Sequence, residues 1–199
     1  NIKTWLSESK VEPGDILFIH GDLSVTAQFK TQNQNTVERF FNEITHYLGE
    51  DGTLVVPAFT YSFTRGQDFD VFNTKSCVGS FSEYFRNMEG VRRSHQPIFS
   101  MCSKGKYAHQ ISNADISDCF GKKSAFGLLH QLNAKLMNLA CPFEQTFIHY
   151  VEQCQSVDYR YFKDFEGKII DKDNHYRIKT SYFVGDQSIN YKMDTRSLK

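Results

Sequence analysis

The order strand, amphipathic helix, strand between Val11 and Phe59 constrains this fold more than any other feature of the chain. Residues 11–20 open on a Pro13-Gly14 turn and run into the apolar stretch Ile16-Leu-Phe-Ile19. Residues 35–48 carry Val37, Phe40, Phe41, Ile44 and Leu48, the spacing of a helix with one buried stripe, and Gly49 fits its C-cap. Asp51-Gly52 then turns into Thr53-Leu-Val-Val-Pro57, an uninterrupted apolar run that reads as a buried strand. Two strands joined through a helix pair in parallel, because a hairpin turn cannot make that connection.

The rest of the chain continues in kind and then changes. Residues 79–88 and 124–133 read as helices, 98–102 and 135–139 as strands, and 147–155 as a further helix. Residues 165–170 and 175–183 flank Asp171-Lys-Asp-Asn174 and read as an antiparallel hairpin. The expected fold is a three-layer α/β/α domain with a mostly parallel or mixed central sheet and a C-terminal antiparallel β extension. One domain is expected over residues 1–199. The start at Asn1 and the polar stretch ending at Lys199 read as fragment boundaries at one or both ends.

Composition narrows the function. Lysine plus arginine and aspartate plus glutamate both number 23, giving a net charge of +0, so no broad basic field exists to grip nucleic acid. Eighteen Phe and ten Tyr supply a ring-rich core, with some rings left over for a cleft wall. The five cysteines, at 77, 102, 119, 141 and 154, have no CxxC spacing, which argues against a disulfide scaffold or a zinc site. Without an apolar run of roughly 18–20 residues or a signal-peptide core, a cytoplasmic protein with no membrane contact is expected.

Chemistry concentrates at Thr146-Phe-Ile-His149-Tyr-Val-Glu152. Positions three apart share one helix face, so His149 and Glu152 can enter one site, where the carboxylate fixes the imidazole tautomer and raises its basicity. That is the equipment of a general base, although the same spacing also occurs on solvated helix faces. No third ligand stands at motif spacing, so no metal is expected. Cys102, Cys119 and Cys141 lie in apolar surroundings and read as core. The other histidines read as structural or solvated, with His20 bordering a candidate loop.

In matching order from Gly14 to Arg160, the chain resembles the aminoglycoside 3-N-acetyltransferase family and its relatives that acylate amino sugars. The anchors are His20 to Ser24, Gly49-Glu-Asp-Gly-Thr-Leu-Val-Val-Pro57 and Phe69-Asp-Val-Phe72. They continue with Arg93-Ser94, Pro97 and Ser100, then Gly121 with Ser124, and Thr146 with His149-x-x-Glu152. The resemblance implies a layered α/β fold and acyl transfer from acetyl-CoA or another acyl-CoA to a primary amine of an amino sugar, with His149 and Glu152 catalytic. The acceptor is either an aminoglycoside antibiotic or a nucleotide-linked amino sugar used for surface polysaccharide. The neutral charge balance leans toward the second. A non-catalytic relative that binds CoA or a nucleotide sugar is the alternative reading. A homodimer stays open, because the sequence does not fix the oligomeric state.

Physical reading extends the site. Small-residue loops at strand ends hold phosphate, so Gly21, Asp22, Leu23 and Ser24 are candidates for CoA, with Ser124 at the helix start after Gly121-Lys-Lys. Arg93 and Ser94 are further candidates for CoA, Arg93 because a guanidinium pairs with nucleotide phosphates. Asp70, His95 and Tyr159 are candidates for the amino sugar, Tyr159 because the run Tyr159-Arg-Tyr-Phe162 offers rings to a core, a cleft wall or a sugar face. Relatives commonly carry His directly before the proline that is Pro97 here. This chain has Gln96 there and His95 one residue displaced, and adjacent strand residues face opposite sides.

Overall fold

The computed structural model describes residues 1–29, 36–141 and 146–188. A five-stranded sheet holds, in spatial order, β4 (Arg92–Arg93), β5 (Met101–Gly105), β2 (Thr53–Pro57), β1 (Ile16–Gly21) and β6 (Lys135–Leu139). β1 lies parallel to both β2 and β6, whereas β2, β5 and β4 alternate antiparallel, so the sheet is mixed. The β1–β2 crossover runs through α2 (Thr36–Leu48), as the apolar spacing predicts.

Alternation along the strands divides the core in two. Leu17, Ile19, Leu54, Val56 and Cys102 face α1 (Ile2–Glu8), α2 and α3 (Ser80–Arg86), meeting Leu6, Phe40, Phe41, Ile44, Phe81 and Phe85. Ile16, Phe18, Val55 and Met101 face the other way. They meet Ile111 from α4 (Ala108–Ser112), Phe126 and Leu129 from α5 (Ala125–Gln131) and Tyr150 from α6 (Ile148–Cys154). The result is the expected three layers. Nearly all the largest buried side chains are phenylalanines, which is where the unusual ring content goes.

The strand expected at 98–102 sits three residues later, and a side chain explains the displacement. The Gln96 Oε1 accepts from the amides of Ile98 and Phe99 at 2.7 and 3.3 Å, which holds that stretch in a turn. Strand pairing begins only at Met101.

A second sheet completes the fold on the α4–α6 side. β7 (Arg160–Asp171) and β8 (Asn174–Gly185) form a hairpin of 12 residues per strand, with the short β3 (Phe69–Asp70) parallel to β7. It is longer than expected, chiefly at the end nearest α6. Asp171 pairs with Asn174 across the two-residue turn Lys172-Asp173, where Lys172 takes a left-handed φ of 54°. Gly167 lets β7 lie against Phe63: a Cβ there would come within 2.6 Å of the ring. The other edge is tied at Ser181, whose amide donates to Ser117 at 2.7 Å and whose carbonyl accepts from Cys119 at 2.9 Å.

Candidate active site

α6 presents two faces. Tyr150 points into the core, its hydroxyl 2.9 Å from His130 Nδ1. His149, Glu152 and Gln153, at the i, i+3, i+4 spacing of one face, turn toward residues 118–120 and the start of β7. The Gln153 amide donates to Asp118 Oδ2 at 2.7 Å, and the Phe120 ring meets His149 edge-on with centroids 5.6 Å apart.

His149 Nδ1 lies 2.7 Å from Glu152 Oε2. A carboxylate only accepts, so Nδ1 carries the proton and Nε2 is left with its lone pair. Glu152 is 9 % exposed and holds two further partners. Tyr159 Oη donates to Oε1 at 3.1 Å. Arg160 Nε stands 2.7 Å from Oε2 without the alignment of a hydrogen bond, so that contact is an ion pair. Arg160 Nη1 also donates to the Phe183 carbonyl at 2.9 Å, fixing the guanidinium to β8. Burial pushes the His149 pKa below the usual histidine value. The Glu152 hydrogen bond opposes that shift, and the Arg160 charge adds to it.

The structure brings together His149, Glu152 and Tyr159 among the residues singled out from the sequence. Arg160 joins them, although the sequence marks it only as part of an aromatic run. Its signal was its place beside Tyr159, a few residues beyond a helix that needed a counter-charge. The neighbouring Tyr161 and Phe162 are 50 % and 57 % exposed, so they are not core.

Other candidates occupy structural positions. Arg93 is buried, with Nε donating to Ser100 Oγ and its other nitrogens to the Val71, Thr74 and Ala58 carbonyls at 2.6–3.1 Å, and it stacks over Phe69. All three of its nitrogens are engaged and the side chain is buried, so it serves the core rather than an exposed phosphate. The Ser94 hydroxyl accepts from the Met101 amide at 2.9 Å, deep in the core. Ser124 caps α5 through the Gly127 amide at 3.2 Å. Asp70 folds its own turn, accepting from the Phe72 and Asn73 amides at 2.9 Å.

Loop 21–24 is less open than small residues suggest. The Asp22 amide donates to the Leu139 carbonyl, the Ser24 amide to Asp22 Oδ1 and the Val25 amide to the Asp22 carbonyl. Three of the amides a phosphate would use are therefore engaged. A side chain at Gly21 would touch the Phe81 ring at 3.0 Å, so the glycine serves packing. Leu23 lines a cavity of about 700 Å³ with Glu38, Glu83 and Lys104, on the α2–α3 side of the sheet and away from the His149 group.

His95 is far from His149. Its Nδ1 lies 3.3 Å from Tyr176 Oη, and its Nε2 lies 3.7 Å from Asp171 Oδ2, at the turn of the hairpin. Arg160 begins the same strand eleven residues earlier, a separation of roughly 36 Å at strand rise. The same reasoning separates Asp70, which pairs with Ile170. Gln96 is core: its Nε2 donates to Thr180 Oγ1 at 2.9 Å.

No group of three or more His, Cys, Asp or Glu able to hold a metal ion occurs among the described residues. No helix among them is long and apolar enough to cross a membrane.

Residues 18–194 match the family model described as aminoglycoside 3-N-acetyltransferase. No curated protein matched the chain by sequence. Among solved structures, the aminoglycoside acetyltransferase AAC(3)-Xa is 20 % identical, with a TM-score of 0.77, covering 100 % of this chain and 74 % of that one. AAC-IIIb in a binary complex with CoASH is 17 % identical (TM-score 0.77; 92 % and 74 % covered). Sisomicin-bound AAC-VIa is 16 % identical (TM-score 0.78; 95 % and 77 % covered). At these identities the likeness to the solved structures is one of fold.

Proposed function

The chain belongs to the aminoglycoside 3-N-acetyltransferase family, and from that membership we propose that it moves an acyl group, acetyl first of all, from acyl-CoA to a primary amine of an aminoglycoside, with His149 as general base. One observation carries the reading: Glu152 holds Nδ1 of His149 at 2.7 Å, so that Nε2 is the basic nitrogen.

An amino-sugar amine is an ammonium near neutral pH and must lose a proton before it can attack. That first proton goes to solvent; Nε2 of His149 takes the second from the neutral amine as its nitrogen adds to the thioester carbonyl, and Glu152 steadies the resulting imidazolium. Collapse of the tetrahedral centre breaks the carbon–sulfur bond, and the thiolate recovers the proton from His149. The thioester supplies the acyl carbon; the protein supplies the base, its orientation and a ring-lined wall at Phe120. A metal has no part in this route.

Of the candidate phosphate contacts, Lys122 and Lys123 fit best. Both are exposed, and they follow Phe120, which packs on His149, by two and three positions. Aminoglycosides are the favoured acceptors because the family model names them and a relative of like fold is solved with sisomicin. The balanced charge of the chain keeps nucleotide-linked amino sugars as the second acceptor class.

Thiol release from acetyl-CoA, with both acceptor classes, tests the reading in the wild type and in His149→Ala. Turnover on aminoglycosides that is lost in a folded variant supports it. Turnover on nucleotide sugars alone would move the acceptor. Acetyl-CoA binding without release on any acceptor would overturn the enzyme in favour of a binding protein.

A further inference from the structure

We propose that Arg160 is the positioning residue of this site: its guanidinium holds the Glu152 carboxylate and offsets its charge, so that His149 rests as the neutral imidazole. The inference rests on His149 as the base, and it adds a residue that family membership and the sequence pattern had not assigned.

The geometry carries the argument. Glu152 Oε2 is 2.7 Å from both His149 Nδ1 and Arg160 Nε, so one oxygen serves an imidazole and a fixed cation together. The Arg160 side chain is 6 % exposed and is anchored to the Phe183 carbonyl, so water does little to screen it and it has little freedom to leave. A lone carboxylate against a buried imidazole would favour the imidazolium, which cannot accept a proton. A permanent cation on the same oxygen removes that bias.

Among the described residues, the groups facing His149 are few. Glu152 faces it from α6, and Arg160 with Tyr159 from the start of β7. Phe120 approaches from the segment before α5, with Asp118 behind it on Gln153 and Tyr182 of β8 against the Phe120 ring. Arg160 is the one cation in this set, and its charge and the burial of His149 both push the imidazole toward neutrality.

The test is an NMR titration of the His149 imidazole, its resonance identified by loss in His149→Gln, in wild type, Arg160→Gln and Arg160→Lys. Arg160→Gln is expected to raise the midpoint by about one pH unit or more. Arg160→Lys, which keeps the charge, is expected to stay near wild type. The low-pH limb of kcat should move with the midpoint. An unshifted midpoint in Arg160→Gln, or an equal shift in Arg160→Lys, would overturn the proposal. Should Arg160→Gln fail to fold by circular dichroism, citrulline at position 160, introduced by ligation at the exposed Cys154, removes the charge and keeps the shape. Because the titration needs no turnover, a shifted midpoint in a protein without activity would count against the acyltransferase reading alone.

Discussion

Gln96 and Thr180, 84 positions apart in sequence, meet at 2.9 Å inside the core and join the turn before β5 to the second strand of the hairpin. The same carboxamide accepts from the Ile98 and Phe99 amides, so one side chain shapes a turn and fastens a sheet. Gln96→Ala would leave those amides buried without an acceptor and the Thr180 hydroxyl with only Cys119 Sγ, at 3.9 Å. We predict a loss of about 3 kcal/mol in urea unfolding, with little change in the substrate dependence of any folded fraction. A loss below about 0.5 kcal/mol would contradict this role.

Arg93 makes a parallel prediction. Arg93→Ala strips donors from the Val71, Thr74 and Ala58 carbonyls in the core, and an unfolding loss of about 4 kcal/mol is expected. Replacing Lys122 and Lys123 together with Ala should instead leave stability within about 0.5 kcal/mol and raise the KM for acetyl-CoA about tenfold. The reverse pattern would return the phosphate contact to Arg93.

Removing the base should lower kcat about a thousandfold in His149→Gln, with the fold intact by circular dichroism. Glu152→Gln should also lower kcat, and less severely if the amide still accepts from Nδ1. An unimpaired His149→Gln enzyme would sink the assignment.

Turnover should fall on acidification only below the ordinary histidine value. The folded pKa of His149 is depressed, so the imidazole stays neutral to lower pH than a free one, and kcat should hold down to about pH 6.5 and decline beneath it. Stopped kcat measurements across pH 5–8 on the stable protein would check this window.

His20 governs stability rather than turnover. Burial between the Phe18 and Phe59 rings pushes its pKa down to about 4, and its Nε2 makes no hydrogen bond. Between that value and the unfolded value of about 6.5, the unfolded chain binds the extra proton, so acidification favours unfolding. His20 should therefore contribute a loss of about 3 kcal/mol as pH falls from 6.5 to 4. His20→Phe should flatten that limb, and an unchanged slope would refute the account.

The layered core was legible because period-two and helical patterns report burial directly. β1, α2, β2 and β6 lie where their patterns put them, and helical spacing put His149 beside Glu152, while the family resemblance singled the pair out. What lay beyond reach was long-range: nothing local marks Gln96 as a tie to Thr180, or Arg93 as a brace rather than a phosphate contact. Both are polar residues whose distant partners, the Thr180 hydroxyl for Gln96 and the Val71, Thr74 and Ala58 carbonyls for Arg93, are brought close only by the fold. Arg160 stands only eight positions from Glu152, but its pairing depends on how β7 leaves α6, which spacing alone does not give. The short helix α1 and the brief strand β3 carried too few residues to show a period.

The two-residue turn at Lys172-Asp173 reaches further than its size suggests. Side chains alternate along a strand, so a slip of one rung at that turn would invert β8 against β7. The Phe183 carbonyl that anchors Arg160 would then leave its Nη1. The guanidinium beside Glu152 is thus steadied from the opposite tip of the ribbon, where a left-handed lysine helps set which β8 residue lies across from it.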